Sequence, residues 1–158
     1  MGITSQLAAF TAGIGLAGLP PDVVKRARFL VLDLVGNIVR ARHDAESTPS
    51  FLAAVRAMGM AAGNSGVFGD AARYTPAGAA LLNGALAHSL DFDDTHAAGS
   101  LHPGAPVIPA ALAAGEMVGA SGADVLAGIV AGYEITCRVA LALPAGEQPT
   151  LEDVLATR

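Results

Sequence analysis

The chain has 158 residues, 53% of them hydrophobic and 15% charged, with a net charge of −5. That length fits one domain with a sizeable core, and the composition excludes a disordered chain or a polar linker. The negative balance argues against nucleic acid as a partner, because phosphate must be met by Lys and Arg. The single cysteine, Cys137, excludes an internal disulfide framework and fits a reducing compartment.

Aromatic residues make up only 4% and Trp is absent, so the apolar content is mostly Ala, Leu and Val. Ala and Leu form helices at little cost in side-chain entropy. The expected fold is therefore all-α, a compact multi-helix bundle. The 19 glycines suggest that its helix backbones approach closely.

Residues 3–16 read as a short first helix. No basic segment precedes a long apolar run, so no signal peptide is expected. Gln6 breaks the myristoylation pattern after Gly2. Gly13-Ile14-Gly15-Leu16-Ala17-Gly18 matches G-x-G-x-x-G, and Asp33 follows 20 residues after Gly13. A dinucleotide site needs a strand before this motif and a helix opening within it. Here the preceding segment reads as helix and Pro20-Pro21 follows, so the motif is read as a turn.

Pro20 and Pro21 open a second helix over 22–42, where Val23, Val24, Ala27, Leu30, Val31, Leu34, Val35 and Ile38 recur at helical spacing. Polar residues 43–49 interrupt the pattern, and a third helix is expected over 49–61. The Gly-rich stretch 63–70 has room for one short extended segment, too little for a sheet. Thr75-Pro76 reads as an N-cap followed by proline in the first turn. Residues 76–90 are apolar all round, the pattern of a central buried helix. Two more helices are expected over 106–119 and 122–143. They carry Gly115/Gly119 and Gly128/Gly132, read as close helix contacts. Residues 95–115 contain no Asp, Glu, Lys or Arg but do contain His96, His102 and three prolines, a poor membrane span. The chain is expected to be cytoplasmic, with neither membrane nor nucleic acid as a partner. The helical domain is placed at 1–143 and a divergent polar tail at 144–158.

The stretch that bears chemistry is His88-Ser89-Leu90-Asp91-Phe92-Asp93-Asp94-Thr95-His96, followed by His102-Pro103-Gly104. Three carboxylates just past the C-terminal end of a helix sit where exposed carbonyls are already negative. Such crowding marks functional sites, and neighbouring histidines can relay protons near neutral pH. Blander readings stand beside this one. Asp93 or Asp94 can cap the next turn, His88 can be a satisfied core residue, and His43 and His96 can be plain surface residues. Cys137 reads as a small buried residue and not a nucleophile. Asp and His also ligate zinc or manganese, but no spacing here matches a metal signature and none is expected. His102 precedes a proline-marked helix start, where an anion is favoured. Pro103 and Pro106 remove two amide donors, leaving side chains such as His102 and Thr95 to hold it.

The run from Asn83 to Thr95, with His102-Pro103-Gly104 and Pro109, resembles the signature of the MmgE/PrpD family. Phe29 to Asn37, the Gly-Asp stretch before Pro76, and Gly132-Tyr133-Glu134 support the resemblance, which spans about residues 3 to 143. It implies a helical domain paired with a smaller lid domain in a homodimer. It also implies chemistry without a cofactor on small polycarboxylic acids: dehydration, decarboxylation or epimerisation next to a carboxylate. Carried over residue by residue, it implies that Asp91 and His102 line the acid/base site and that Thr95 holds a substrate carboxylate. The gap from Thr95 to His102 is a residue longer than in the family's decarboxylases, which favours a dehydratase-like or unassigned branch. Family members run well beyond this length, and Lys25 is the one lysine here. The expectation is thus a lyase part that is incomplete by itself, associating as a homo-oligomer or with a complementary chain. The alternative is a non-catalytic helical dimerisation module. A metal hydrolase, a third possibility, would need an ion near Asp91, Asp93 and His102.

Overall fold

The computed structural model describes residues 2–142, so the tail expected over 144–158 lies outside the described residues. Among the described residues, six α-helices carry the fold: α1 (Ile3–Ala12), α2 (Pro21–Asp44), α3 (Thr48–Ala57), α4 (Pro76–His88), α5 (Gly104–Val118) and α6 (Gly122–Leu141). The architecture is the expected all-α bundle. A small antiparallel ladder joins β1 (Ser65–Gly66) to β2 (Arg73–Tyr74), with Ser65 opposite Tyr74 and Gly66 opposite Arg73. The extended segment foreseen in the Gly-rich stretch is β1. Its partner β2 has only two residues, too few to show a period of two.

Local chemistry fixes the helix ends. The Thr75 hydroxyl accepts from the Gly78 amide at the start of α4. Ser121 and Asp124 form a reciprocal capping box at the start of α6. The first helix is shorter than expected: α1 stops at Ala12, Gly13 caps it, and a 3-10 turn spans Leu16–Gly18. Among the described residues no strand precedes Gly13, so the glycine motif is the turn its context indicated.

The core forms where α4 meets α2, α3 and α5. Leu34, Ile38, Val55, Tyr74, Leu82, Leu86, Ile108 and Ile129 are buried in it. Burying a side chain of this size contributes roughly 1.5–3 kcal/mol. One polar residue sits in the middle of α4: Asn83 accepts from the Phe68 amide at 3.0 Å and donates to the Gly66 carbonyl at 3.0 Å. It ties the Gly-rich hairpin to the helix and satisfies two backbone groups. Contrary to the expectation of burial on all sides, α4 leaves one face open, where Leu81 is 44% exposed.

The α4–α5 contact is close for a specific reason. Pro109 lies inside α5 and has no N–H for the Ala105 carbonyl one turn earlier. Gly84 of α4 faces that carbonyl, and a Cβ there would come within 2.9 Å of it. Among the spaced glycines, Gly132 faces Val107 and Gly115 faces Val125, as close packing requires. Gly128 and Gly119 face nothing within 4 Å. Gly119 instead ends α5 in the left-handed conformation, with φ of 64°. No helix among the described residues is long and apolar enough to cross a membrane.

Candidate active site

The site forms where α4 ends. His88 is the last residue of α4, and the Asp91 amide donates to the His88 carbonyl at 3.1 Å. Asp91 itself takes φ of 56°, a left-handed conformation that Asp tolerates better than most residues. This bend turns the chain back, so that Asp91 and Asp93 lie beside the histidines at the end of α4 and ahead of α5.

Asp93 is the buried centre of the group. Its side chain is fully enclosed, and His88 Nδ1 donates to its two carboxylate oxygens at 3.0 and 3.1 Å. His102 lies on the other side, with Nδ1 3.5 Å from Asp93 Oδ1 and Nε2 3.9 Å from Asp91 Oδ1. The His88 and His102 rings meet edge to face, with centroids 4.8 Å apart. His102 Nδ1 is buried and makes no hydrogen bond. Asp91 is open to solvent. No Lys or Arg forms an ion pair with Asp91 or Asp93 among the described residues. A groove of about 510 Å³ runs between α4 and α5, past Leu81, Gly84 and Ala105, to His88 and His102.

Asp94 faces away from this group. Its Oδ1 accepts the Gly104 amide at 3.0 Å, which caps the first turn of α5. Its Oδ2 accepts the Tyr133 hydroxyl from α6 at 2.9 Å. Burial, reinforced by the Asp94 charge and hydrogen bond, pushes the Tyr133 hydroxyl far above its ordinary value. Burial also raises the Cys137 thiol, with Asp94 and Glu134 adding to it, so the inert reading of Cys137 is the physical one. A side chain at Gly104 would collide with Asp94 and Tyr133.

Asp91 and His102, the expected acid/base residues, are neighbours. Thr95, the expected carboxylate-holding residue, is exposed, and its hydroxyl has no partner among the described residues. His88 is half exposed and paired with Asp93, so it is not the satisfied core residue of the bland reading. Asp94 is a helix cap, as the bland reading of that residue had it. His96 also has a local role, its Nδ1 accepting the Gly99 amide at 3.0 Å. His43 is a surface residue. The sequence names Asp93 only within the carboxylate cluster and the metal alternative, and Tyr133 only within the family resemblance; the structure encloses the first and ties the second to Asp94. The five-residue step from His88 to Asp93 was the available signal for the first.

Residues 5–157 match the family model of the MmgE/PrpD N-terminal domain, and the chain belongs to that family. Among curated relatives, the cis-aconitate decarboxylase-like protein oryM of Aspergillus oryzae is 31% identical over 150 residues, 89% of this chain and 30% of the relative. A cis-aconitate decarboxylase of Aspergillus terreus is 27% identical over 153 residues, 90% of this chain and 30% of the relative. The chain thus spans under a third of the length of these relatives, and the relationship is to a lyase family. No solved structure matches it.

Proposed function

We propose that the chain, as a member of this family, is the front part of the helical domain of a lyase acting on small polycarboxylic acids, with Asp91 and His102 as its acid/base pair. The observation that carries this reading is the approach of His102 Nε2 to 3.9 Å from Asp91 Oδ1 at the end of the α4–α5 groove. Two groups so placed can flank one reacting carbon. In an elimination, one removes the proton from the carbon next to a carboxylate and the other protonates the departing hydroxyl, which leaves as water. In a decarboxylation, carbon dioxide leaves and the protonated group delivers its proton to the carbanion. The relatives' names favour the second reaction and the longer gap from Thr95 to His102 favours the first. The unpartnered Thr95 hydroxyl is suited to a substrate carboxylate, and Asp93 holds the His88 imidazole.

This part is incomplete for turnover. A polycarboxylate carries several negative charges, and no Lys or Arg pairs with Asp91 or Asp93 among the described residues, so the cations that meet those charges come from outside this group. Electrostatic stabilisation in a site shielded from water is commonly the largest catalytic contribution. Exposed Phe29, Leu32 and Phe92 favour association with another chain, and equally favour a second reading in which the chain is an interaction module without catalysis.

Calorimetric titration of the purified chain with citrate, 2-methylcitrate and cis-aconitate tests the primary reading. Millimolar binding that His102→Ala abolishes is the expected result. No binding at that concentration rejects an autonomous substrate site and leaves the interaction module.

A further inference from the structure

The His102 imidazole is not fixed by its own nitrogens. Nδ1 is buried and makes no hydrogen bond, and Nε2 stands 3.9 Å from Asp91 Oδ1, too far for one. What sets the place of this ring therefore acts through the backbone.

That backbone is pinned on both sides of the residue. On one side the His96 amide donates to the Leu101 carbonyl at 2.8 Å. On the other, Asp94 Oδ1 accepts the Gly104 amide at 3.0 Å. Between the two pins stand His102 and the buried Pro103. Proline fixes its own φ and disfavours helical backbone in the residue before it. The position of His102 thus follows from the positions of Leu101 and Gly104.

The second pin rests on α6. A carboxylate held at one oxygen is free to turn about its last torsion, away from the amide it caps. The Tyr133 hydroxyl donates to Asp94 Oδ2 at 2.9 Å and opposes that turn, which keeps Oδ1 on the Gly104 amide. Contact among the three is close enough that a Cβ at Gly104 would collide with both Asp94 and Tyr133. Burial holds the Tyr133 hydroxyl protonated well beyond neutral pH, so the donor is present wherever the chain is folded at ordinary pH.

We propose that Tyr133 is a positioning residue: through Asp94 and the Gly104 amide it sets where His102 stands beside Asp91. The use of that placement in catalysis rests on the lyase reading. A shift of about 1 Å in a reacting group can cost about a hundredfold in rate. A hydroxyl that bonds to neither member of the acid/base pair would thus govern how the pair works.

The test is proton NMR of the full chain and of Tyr133→Phe. It follows cross-relaxation between the ring protons of His88 and His102, whose centroids are 4.8 Å apart, with His102→Ala identifying the His102 signals. Hydrogen exchange of the Gly104 amide is followed alongside. In Tyr133→Phe the cross-peak should be lost and the Gly104 amide should exchange about tenfold faster or more. Asp70→Asn weakens bonds to Ala72, Tyr74 and Arg42, away from this loop, and controls for stability alone. It should keep both signals at the parent level. A Tyr133→Phe chain with the parent cross-peak overturns the proposal, as does equal loss in Asp70→Asn. If circular dichroism shows that Tyr133→Phe does not fold, the parent chain still decides. A Gly104 amide that exchanges there as fast as in an open chain means that the pin does not hold in solution, and the proposal fails. These readouts need no ligand, so failure of the lyase reading on titration is distinct from failure here.

Discussion

The Tyr133 hydroxyl of α6 donates to Asp94 Oδ2 at 2.9 Å, while the other oxygen of that carboxylate accepts the Gly104 amide at 3.0 Å. One side chain thereby joins α6, the loop after α4 and the first turn of α5. Asp93, next to it in sequence, serves the histidines. Adjacent carboxylates thus split between holding the loop in place and forming the candidate site.

Tyr133→Phe removes the donor and leaves a half-buried carboxylate oxygen unmet. The expected loss is about 1–3 kcal/mol of stability. Urea unfolding should show a lower midpoint with an unchanged slope, the sign of a stability change without altered compactness. A midpoint equal to that of the parent chain would show that the bond contributes nothing.

The chain has two tyrosines and no Trp, so its alkaline ultraviolet titration reads Tyr74 and Tyr133 alone. Both hydroxyls are raised, first by burial and then by the carboxylates of Asp70 and Asp94 respectively. A raised folded value means that the associated stability is full below the unfolded value of about 10 and is lost as pH rises beyond it. Tyrosinate should therefore form later, at higher pH, in the folded chain than in the unfolded one. A tyrosinate step near 10 in a folded chain would contradict this.

Asp70 behaves in the opposite sense. Burial alone would raise its carboxyl. The Ala72 amide, the Tyr74 hydroxyl and the Arg42 guanidinium outweigh burial and hold it below its usual 3.8. The stability it contributes is present above the unfolded value and is lost as pH falls through the folded one. Asp70→Asn should cost about 1–3 kcal/mol at neutral pH. The difference from the parent chain should shrink as urea unfolding is repeated at lower pH, below the unfolded carboxylate value. A difference constant across that range would assign the cost to shape and not charge.

Gly128 and Gly132 lie one turn apart on α6 and should respond with opposite signs. A Cβ at Gly128 meets nothing within 4 Å, so Gly128→Ala should stabilise by about 0.5–1 kcal/mol through helix preference. At Gly132 the Cβ would come within 2.5 Å of a Val107 methyl, so Gly132→Ala should destabilise by about 1–3 kcal/mol. Thermal melts of the two variants decide, and equal shifts would show that α5 and α6 can separate freely.

The helices were legible because a period of 3.6 repeats over many residues, and α2 and α6 run close to their expected spans. The ladder was not, because two-residue strands carry no period and Arg73–Tyr74 pairs only through the turn before it. At the candidate site, the sequence displays the three carboxylates and the histidines as one cluster. It does not reveal that Asp94 turns toward Tyr133, since that depends on how α6 crosses the loop 39 residues earlier. The same holds for Asp93, whose burial comes from tertiary packing and not from its neighbours in the chain. Leu81 looked like core by composition, yet it lines an open groove because the partner face of α4 is unoccupied among the described residues.

The left-handed backbone at Asp91 makes that position a separable variable for engineering the loop. Asn enters this region of backbone space as Asp does, whereas a β-branched residue at such an angle is a genuine outlier. Asp91→Asn therefore erases the charge while preserving the turn, and Asp91→Val disturbs the turn along with the charge. Comparing the two distinguishes what the loop does as a shape from what it does as a reagent.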